Sequence, residues 1–169
     1  VGLLAYDKVH AHFDDLKVYA AGSEQPREYS YEPDTLETAY DYGSDYQSLF
    51  LDNFYDKSKE WPDGELVHYE KGYYTVYDGE KGHFVWQNIN QSDFIFEANV
   101  RVDKWQKNGS VGLTFRMDGA ENYYGFFITE DEKYYFDRSV GGSATSLIVK
   151  TPVSFDKNAV QVVRVECQD

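Results

Sequence analysis

The feature that most constrains this chain is a strict two-residue alternation that begins near Leu49 and recurs to the C-terminal end. In Phe94-Ile95-Phe96-Glu97-Ala98-Asn99-Val100-Arg101-Val102 every even position is apolar, while Glu97, Asn99 and Arg101 alternate with them. A period of two places successive side chains on opposite faces, so this is a half-buried strand. The same reading fits 111–116, 123–128, 133–136, 146–150 and 161–166. Between them stand turn-forming runs: Lys107-Asn108-Gly109, Asp118-Gly119-Ala120-Glu121-Asn122, Thr129-Glu130-Asp131-Glu132 and Gly141-Gly142-Ser143. Short strands at close intervals with no helical pattern between them predict an all-β antiparallel sandwich of the jelly-roll kind. Composition agrees: 16 Tyr, 11 Phe and 3 Trp stand against a single Met, and aromatic side chains suit pleated surfaces better than helix bundles.

The rest of the chain divides in two. Residues 1–20 hold Val1-Gly2-Leu3-Leu4-Ala5-Tyr6 and Ala11-His12-Phe13-Asp14-Asp15-Leu16-Lys17-Val18-Tyr19, two strand-like runs with a turn around Asp7-Lys8. Two strands cannot build a core alone, so they must pair elsewhere. Residues 21–47 carry seven acids against one base, two prolines and five tyrosines, with Leu36 as the lone large aliphatic. That composition predicts an extended acidic linker, with Tyr29, Tyr31, Tyr40, Tyr42 and Tyr46 available to pack on a neighbouring surface. The net charge of −14 argues against nucleic acid or anionic membrane as a partner. No apolar run reaches the roughly 18–20 residues of a membrane span, and no leader pattern is present. The lone Cys167 precludes an intrachain disulfide framework. The start at Val1 is expected of a mature product or of a piece of something longer.

Leu49-Phe50-Leu51-Asp52-Asn53-Phe54 followed by Trp61-Pro62, then Ser92-Asp93-Phe94, Gly112-Leu113-Thr114-Phe115-Arg116, Asn122-Tyr123-Tyr124 and Arg164-Val165-Glu166-Cys167 form an ordered series. In that order they resemble the concanavalin A-like or laminin-G-like jelly roll of secreted microbial repeat proteins, over residues 49–169. Such domains close with V-G-L-x-A and F-D-D-x-x-V-Y strands. Here the matching residues are Val1 to Ala5 and Phe13 to Tyr19, at the opposite end of the chain. The resemblance therefore divides the chain into closing strands (1–20), linker (21–47) and a jelly roll lacking its own last strands (48–169). Three arrangements fit: a window cut out of register from a tandem array, strand exchange with a neighbouring copy, or a circular permutant. In the second, Val1, Leu3, Phe13, Leu16, Val18 and Tyr19 are the assembly residues, the partner is another copy of the chain, and the head-to-tail contact builds a filament.

For chemistry, glycosidases on this type of fold use paired carboxylates, and the E-x-D-x-E strand of the laminarinase-like branch is missing. Ser92-Asp93-Phe94 with Arg116 faintly resembles a keto-disaccharide-acting branch, but no catalytic group carries over, and Glu130, Asp131 and Glu132 read as a solvated turn. There is no Gly-rich phosphate loop and no G-x-S-x-G elbow. Of the four histidines, His10, His12, His68 and His83, the first two share a strand face with Asp14, a metal-ligand geometry that a plain surface strand explains equally. The resemblance also implies a structural calcium tying first strand to last, with Asp52 and Asp14 or Asp15 as ligands. Sugars need aromatic platforms with polar partners, and the candidates are Trp86, Trp105, Arg116, Asn122, Tyr123, Tyr124 and Tyr134. Sequons stand at Asn90 and Asn108. The expectation is a non-enzymatic structural module, extracellular or at a cell surface, with polysaccharide binding as the alternative and a glycoside-active enzyme as the second.

Overall fold

The computed structural model describes residues 1–6, 9–20, 47–77, 82–89 and 91–168. The linker residues 21–46, the turn at 7–8 and the sequon asparagine 90 lie outside the described residues. Among the described residues there is no helix, and hence none long and apolar enough to cross a membrane. Strands are β1 (Gly2–Tyr6), β2 (His10–Ala20), β3 (Ser48–Asp52), β4 (Val67–Glu70), β5 (Tyr73–Tyr77), β6 (His83–Trp86), β7 (Phe94–Lys104), β8 (Ser110–Phe115), β9 (Tyr123–Thr129), β10 (Lys133–Val140), β11 (Ser143–Pro152) and β12 (Gln161–Cys167). They form two antiparallel sheets, an all-β sandwich. The first has the order β11-β10-β9-β8-β1-β6. The second runs β12-β7-β2-β5-β4, with β3 also paired to β2.

The predicted alternation is the packing pattern. On β7, Phe96, Ala98 and Val100 point into the core, and on β8 Val111, Leu113 and Phe115 do the same from the facing sheet. Two strands run further than their apolar segments suggest: 133–136 becomes Lys133–Val140 and 146–150 becomes Ser143–Pro152. The cause is the turn between them. Gly141 and Gly142 both have positive φ, 55° and 75°, which matches the right-handed twist of a two-residue hairpin and lets pairing continue to the turn itself.

The N-terminal strands take interior places. β1 lies between β8 and β6, and β2 lies between β7 on one side and β5 then β3 on the other. Leu3, Ala5, Phe13, Leu16 and Val18 have no exposed surface. Burial of each large side chain is worth roughly 1.5–3 kcal/mol, so these two strands carry a sum comparable to the net stability of a domain. Gly2 is fixed sterically: a Cβ there would stand 2.6 Å from Thr114 Oγ1 and 2.7 Å from the Val85 carbonyl.

A bulge on β2 explains its sequence. Before it, odd positions Ala11 and Phe13 face the core; after it, even positions Leu16 and Val18 do. The register shifts between Asp14 and Lys17, where Asp15 takes a φ of 46°. The extra residue switches the parity of the strand.

Candidate functional site

Three regions gather the residues that sequence reading singled out. The first is the seat of the assembly strands. β2 ends where β3 begins: the Ala20 amide donates to the Gln47 carbonyl at 2.9 Å, so the two ends of segment 21–46 are adjacent. Residues 1–20 thus pair with strands of their own chain, while the length between Ala20 and Gln47 far exceeds what that pairing requires.

The second region is a groove along the open side of the sandwich. The second sheet stops at β12, whereas the first continues through β9, β10 and β11. Of the inward-facing rings there, Phe115 is buried and Tyr124, Phe126, Tyr134 and Phe136 are half-buried. Tyr124 stacks on Phe115 and Phe136, with centroids 6.1 and 6.0 Å apart, and Phe126 stacks on Tyr134 at 5.8 Å. Two adjoining cavities of about 370 Å³ each share Phe126 and Arg164 in their walls. Of the sugar-binding candidates, Arg116, Tyr124 and Tyr134 meet on this groove. The others do not join them. Tyr123, one residue from Tyr124, lies on the opposite face against Phe84 at 5.1 Å, and Trp86 shares the outward parity of Phe84. Trp105 donates from its indole to the Lys157 carbonyl at 3.4 Å. Asn122 accepts from the Gly141 amide at 2.9 Å, holding the β10–β11 turn. Arg116 donates to the Ser92 carbonyl at 3.1 Å.

The third region is the outer face of the second sheet, where alternation places His10 and His12 of β2, Tyr73, Thr75 and Tyr77 of β5, and Arg101 and Asp103 of β7. The imidazole rings of His10 and His12 are 4.8 Å apart. His12 Nε2 is 2.8 Å from Asp103 Oδ2, and its Nδ1 is 3.1 Å from Thr75 Oγ1. Arg101 donates from Nε to Asp103 Oδ1 at 2.9 Å and lays its guanidinium over the Tyr73 ring at 4.9 Å. Tyr77 and Tyr73 present their edges to His10 and His12 respectively. Burial pushes the His12 imidazole below its ordinary value despite the upward pull of Asp103. For Asp103, burial works upward, but the charges and hydrogen bonds of His12 and Arg101 outweigh it and hold the carboxyl low. Sequence reading paired the two histidines with Asp14. The carboxylate that closes on them is Asp103, and with them it is the one group of three His, Cys, Asp or Glu ligand atoms gathered within 4.8 Å among the described residues.

The expected calcium ligands each accept a hydrogen bond, and Asp52 lies close enough to Asp14 for its charge to act on it. Asp52 accepts from the Phe54 amide and from the Trp61 indole, both at 2.8 Å, and burial raises its pKa against those bonds. Asp14 accepts from the Asp15 amide at 2.7 Å, and burial, then the Asp15 charge, push it up to about 6. Asp15 accepts from Asn99 at 3.3 Å. Asn108 stands in the exposed β7–β8 turn with a φ of 67°. No family model matches this chain, and no curated protein or solved structure does. The class that the fold itself defines is a β-sandwich of two antiparallel six-stranded sheets.

Proposed function

We propose that this chain is a non-enzymatic structural module of a secreted or cell-surface protein, of the concanavalin A-like or laminin-G-like type, joined head to tail to copies or adjacent repeats through β1 and β2. The observation that carries this reading is the mismatch at Ala20 and Gln47. These residues are already hydrogen-bonded, so two residues would suffice to connect them. Segment 21–46 instead reaches on the order of 90 Å when extended, at ~3.4 Å per residue, which is ample to deliver β1 and β2 to a neighbouring molecule. Its acidity and sparse aliphatic content suit a solvated connector. The same backbone ladders and the same core positions serve in either case, which is the condition for strand exchange.

Light scattering after size exclusion, with electron microscopy, tests this on the full chain. The expected result is a mass that rises with concentration and fibres that repeat once per chain. A variant with 21–46 replaced by a four-residue Asn-Gly turn should stay monomeric. If the full chain remains monomeric at every concentration and matches the shortened variant, the exchange reading fails.

A second reading, a polysaccharide-binding module, draws on Arg116, Tyr124 and Tyr134 along the groove, where half-covered rings adjoin guanidinium groups. Retention on insoluble polysaccharide that is lost in Tyr134→Ala would support it. Equal retention of both proteins would remove it.

A further inference from the structure

We propose that His10, His12 and Asp103 form a binding site for a first-row divalent cation of the zinc type, on the outer face of the second sheet. This goes beyond the assembly reading, because the site involves the same residues whether β2 pairs within its own chain or with a neighbour.

Backbone geometry brings the three ligands together. His10 and His12 are two apart on β2 and share a face. Between His10 and Ala11 the β2–β7 register shifts: His10 pairs with Lys104 and Ala11 with Val102, leaving Asp103 as the extra residue. Bulges of this kind re-aim a side chain, and here the carboxylate is turned toward the imidazoles. All three ligand atoms lie within 4.8 Å of one another. A zinc-type ion holds its donors ~2.0–2.2 Å from its centre and so more than ~3 Å from one another when tetrahedral; Asp103 Oδ2, 2.8 Å from His12 Nε2, must draw back slightly while the more exposed His10 closes inward by side-chain rotation.

The surroundings orient the ligands. Arg101 occupies Oδ1 of Asp103 and leaves Oδ2 toward His12. Thr75 holds the far nitrogen of His12. With its proton on Nε2, a neutral His12 donates to Asp103 and accepts from the Thr75 hydroxyl. In the other tautomer Nδ1 donates to Thr75, and a bare Nε2 lone pair faces a carboxylate oxygen 2.8 Å away. A cation between them relieves that repulsion, and the oxygen on the outer nitrogen is the usual support of a metal-bound histidine. Two imidazoles and one carboxylate suit a borderline ion, whereas calcium takes six to eight oxygens. Three protein ligands leave a position for water. Because two ligands come from β2 and one from β7, the ion ties the closing strand to its neighbour.

Calorimetric titration of the full chain with zinc chloride near neutral pH, repeated with cobalt(II) to read ligand-field absorption, tests the site. The expected result is one equivalent bound, with a melting temperature that rises on saturation and returns with chelator. His10→Ala and Asp103→Asn should each weaken binding at least tenfold. Thr75→Val, which leaves the ligands in place, should weaken it about tenfold. His68→Ala, on the same face but outside the cluster, should bind as the parent does. Circular dichroism of the metal-free variants checks that each is folded. Absence of one-equivalent binding overturns the proposal, as does binding that survives both His10→Ala and Asp103→Asn in folded protein.

Discussion

β1 and β11 belong to the same sheet and contrast in almost every respect. β1, from the start of the chain, is buried at four of its five residues; β11, ten residues long, is exposed at all but one. Both carry apolar side chains: Leu3, Leu4 and Ala5 in one, Leu147, Ile148 and Val149 in the other. The difference is what lies opposite. β1 faces β2 and β5, whereas β11 is the edge strand of its sheet, three strands beyond β8, and only Ile148 shares a cavity wall with β12, the last strand of the second sheet. Strand burial in a sandwich is thus set by the extent of the partner sheet more than by the strand's own hydrophobicity.

The comparison can be broken by substitution. Phe13→Ala, on the β2 partner of β1, should destabilise most, by about 3–5 kcal/mol in denaturant unfolding. If it instead unfolds with a midpoint close to the parent, the interior placement of residues 1–20 is wrong. Gly2→Val should cost about 1–3 kcal/mol, because its branched side chain would be driven against Thr114 and the Val85 carbonyl. Asp14→Asn sharpens the picture of β2. The Asp14 pKa is raised in the folded state, so its contribution is present below about pH 4 and is lost as pH rises through about 6. The variant should therefore be more stable than the parent at pH 8, by at most about 1 kcal/mol once solvent screening of this half-exposed group is allowed for, and equal to it near pH 3.5. Urea midpoints at the two pH values measure this; a gain confined to low pH would contradict it. Smallest of all, Val149→Ser on β11, at a position 71 % exposed, should shift stability by no more than about 0.5 kcal/mol.

What was legible in the sequence follows the same physics. Alternation declared β7 to β12, because it is local; it did not single out β4, β5 and β6, and it gave no sign that β11 would be exposed on both faces. It also decided one matter against the sugar-site candidates: Tyr123 and Tyr124 are consecutive on β9 and so point to opposite sides of the sheet. The partner of the histidines was not legible. Along a strand, residues two apart are separated by roughly 6.6 Å, whereas directly opposed cross-strand neighbours come within about 4.5–5.5 Å. Asp14 was the carboxylate visible in the sequence, but Asp103, far away in the chain, sits across the ladder at a bulge set by how β2 and β7 pair. The bulge on β2 left a faint trace, the Asp14-Asp15 doublet where the apolar parity changes from odd to even.

The hydrogen bond from Ala20 to Gln47 has a consequence for chain entropy. Where the strands pair within one chain, it pins both ends of segment 21–46 at one point, so in that arrangement the length of the segment acts on the stability of the sandwich through loop-closure entropy. Such entropy varies with the logarithm of length, and a doubling costs only about 0.6 kcal/mol. The segment can accordingly gain or lose many residues while the sandwich barely registers the change, which leaves its length and its acidic, tyrosine-rich sequence open to selection for what it meets outside the domain.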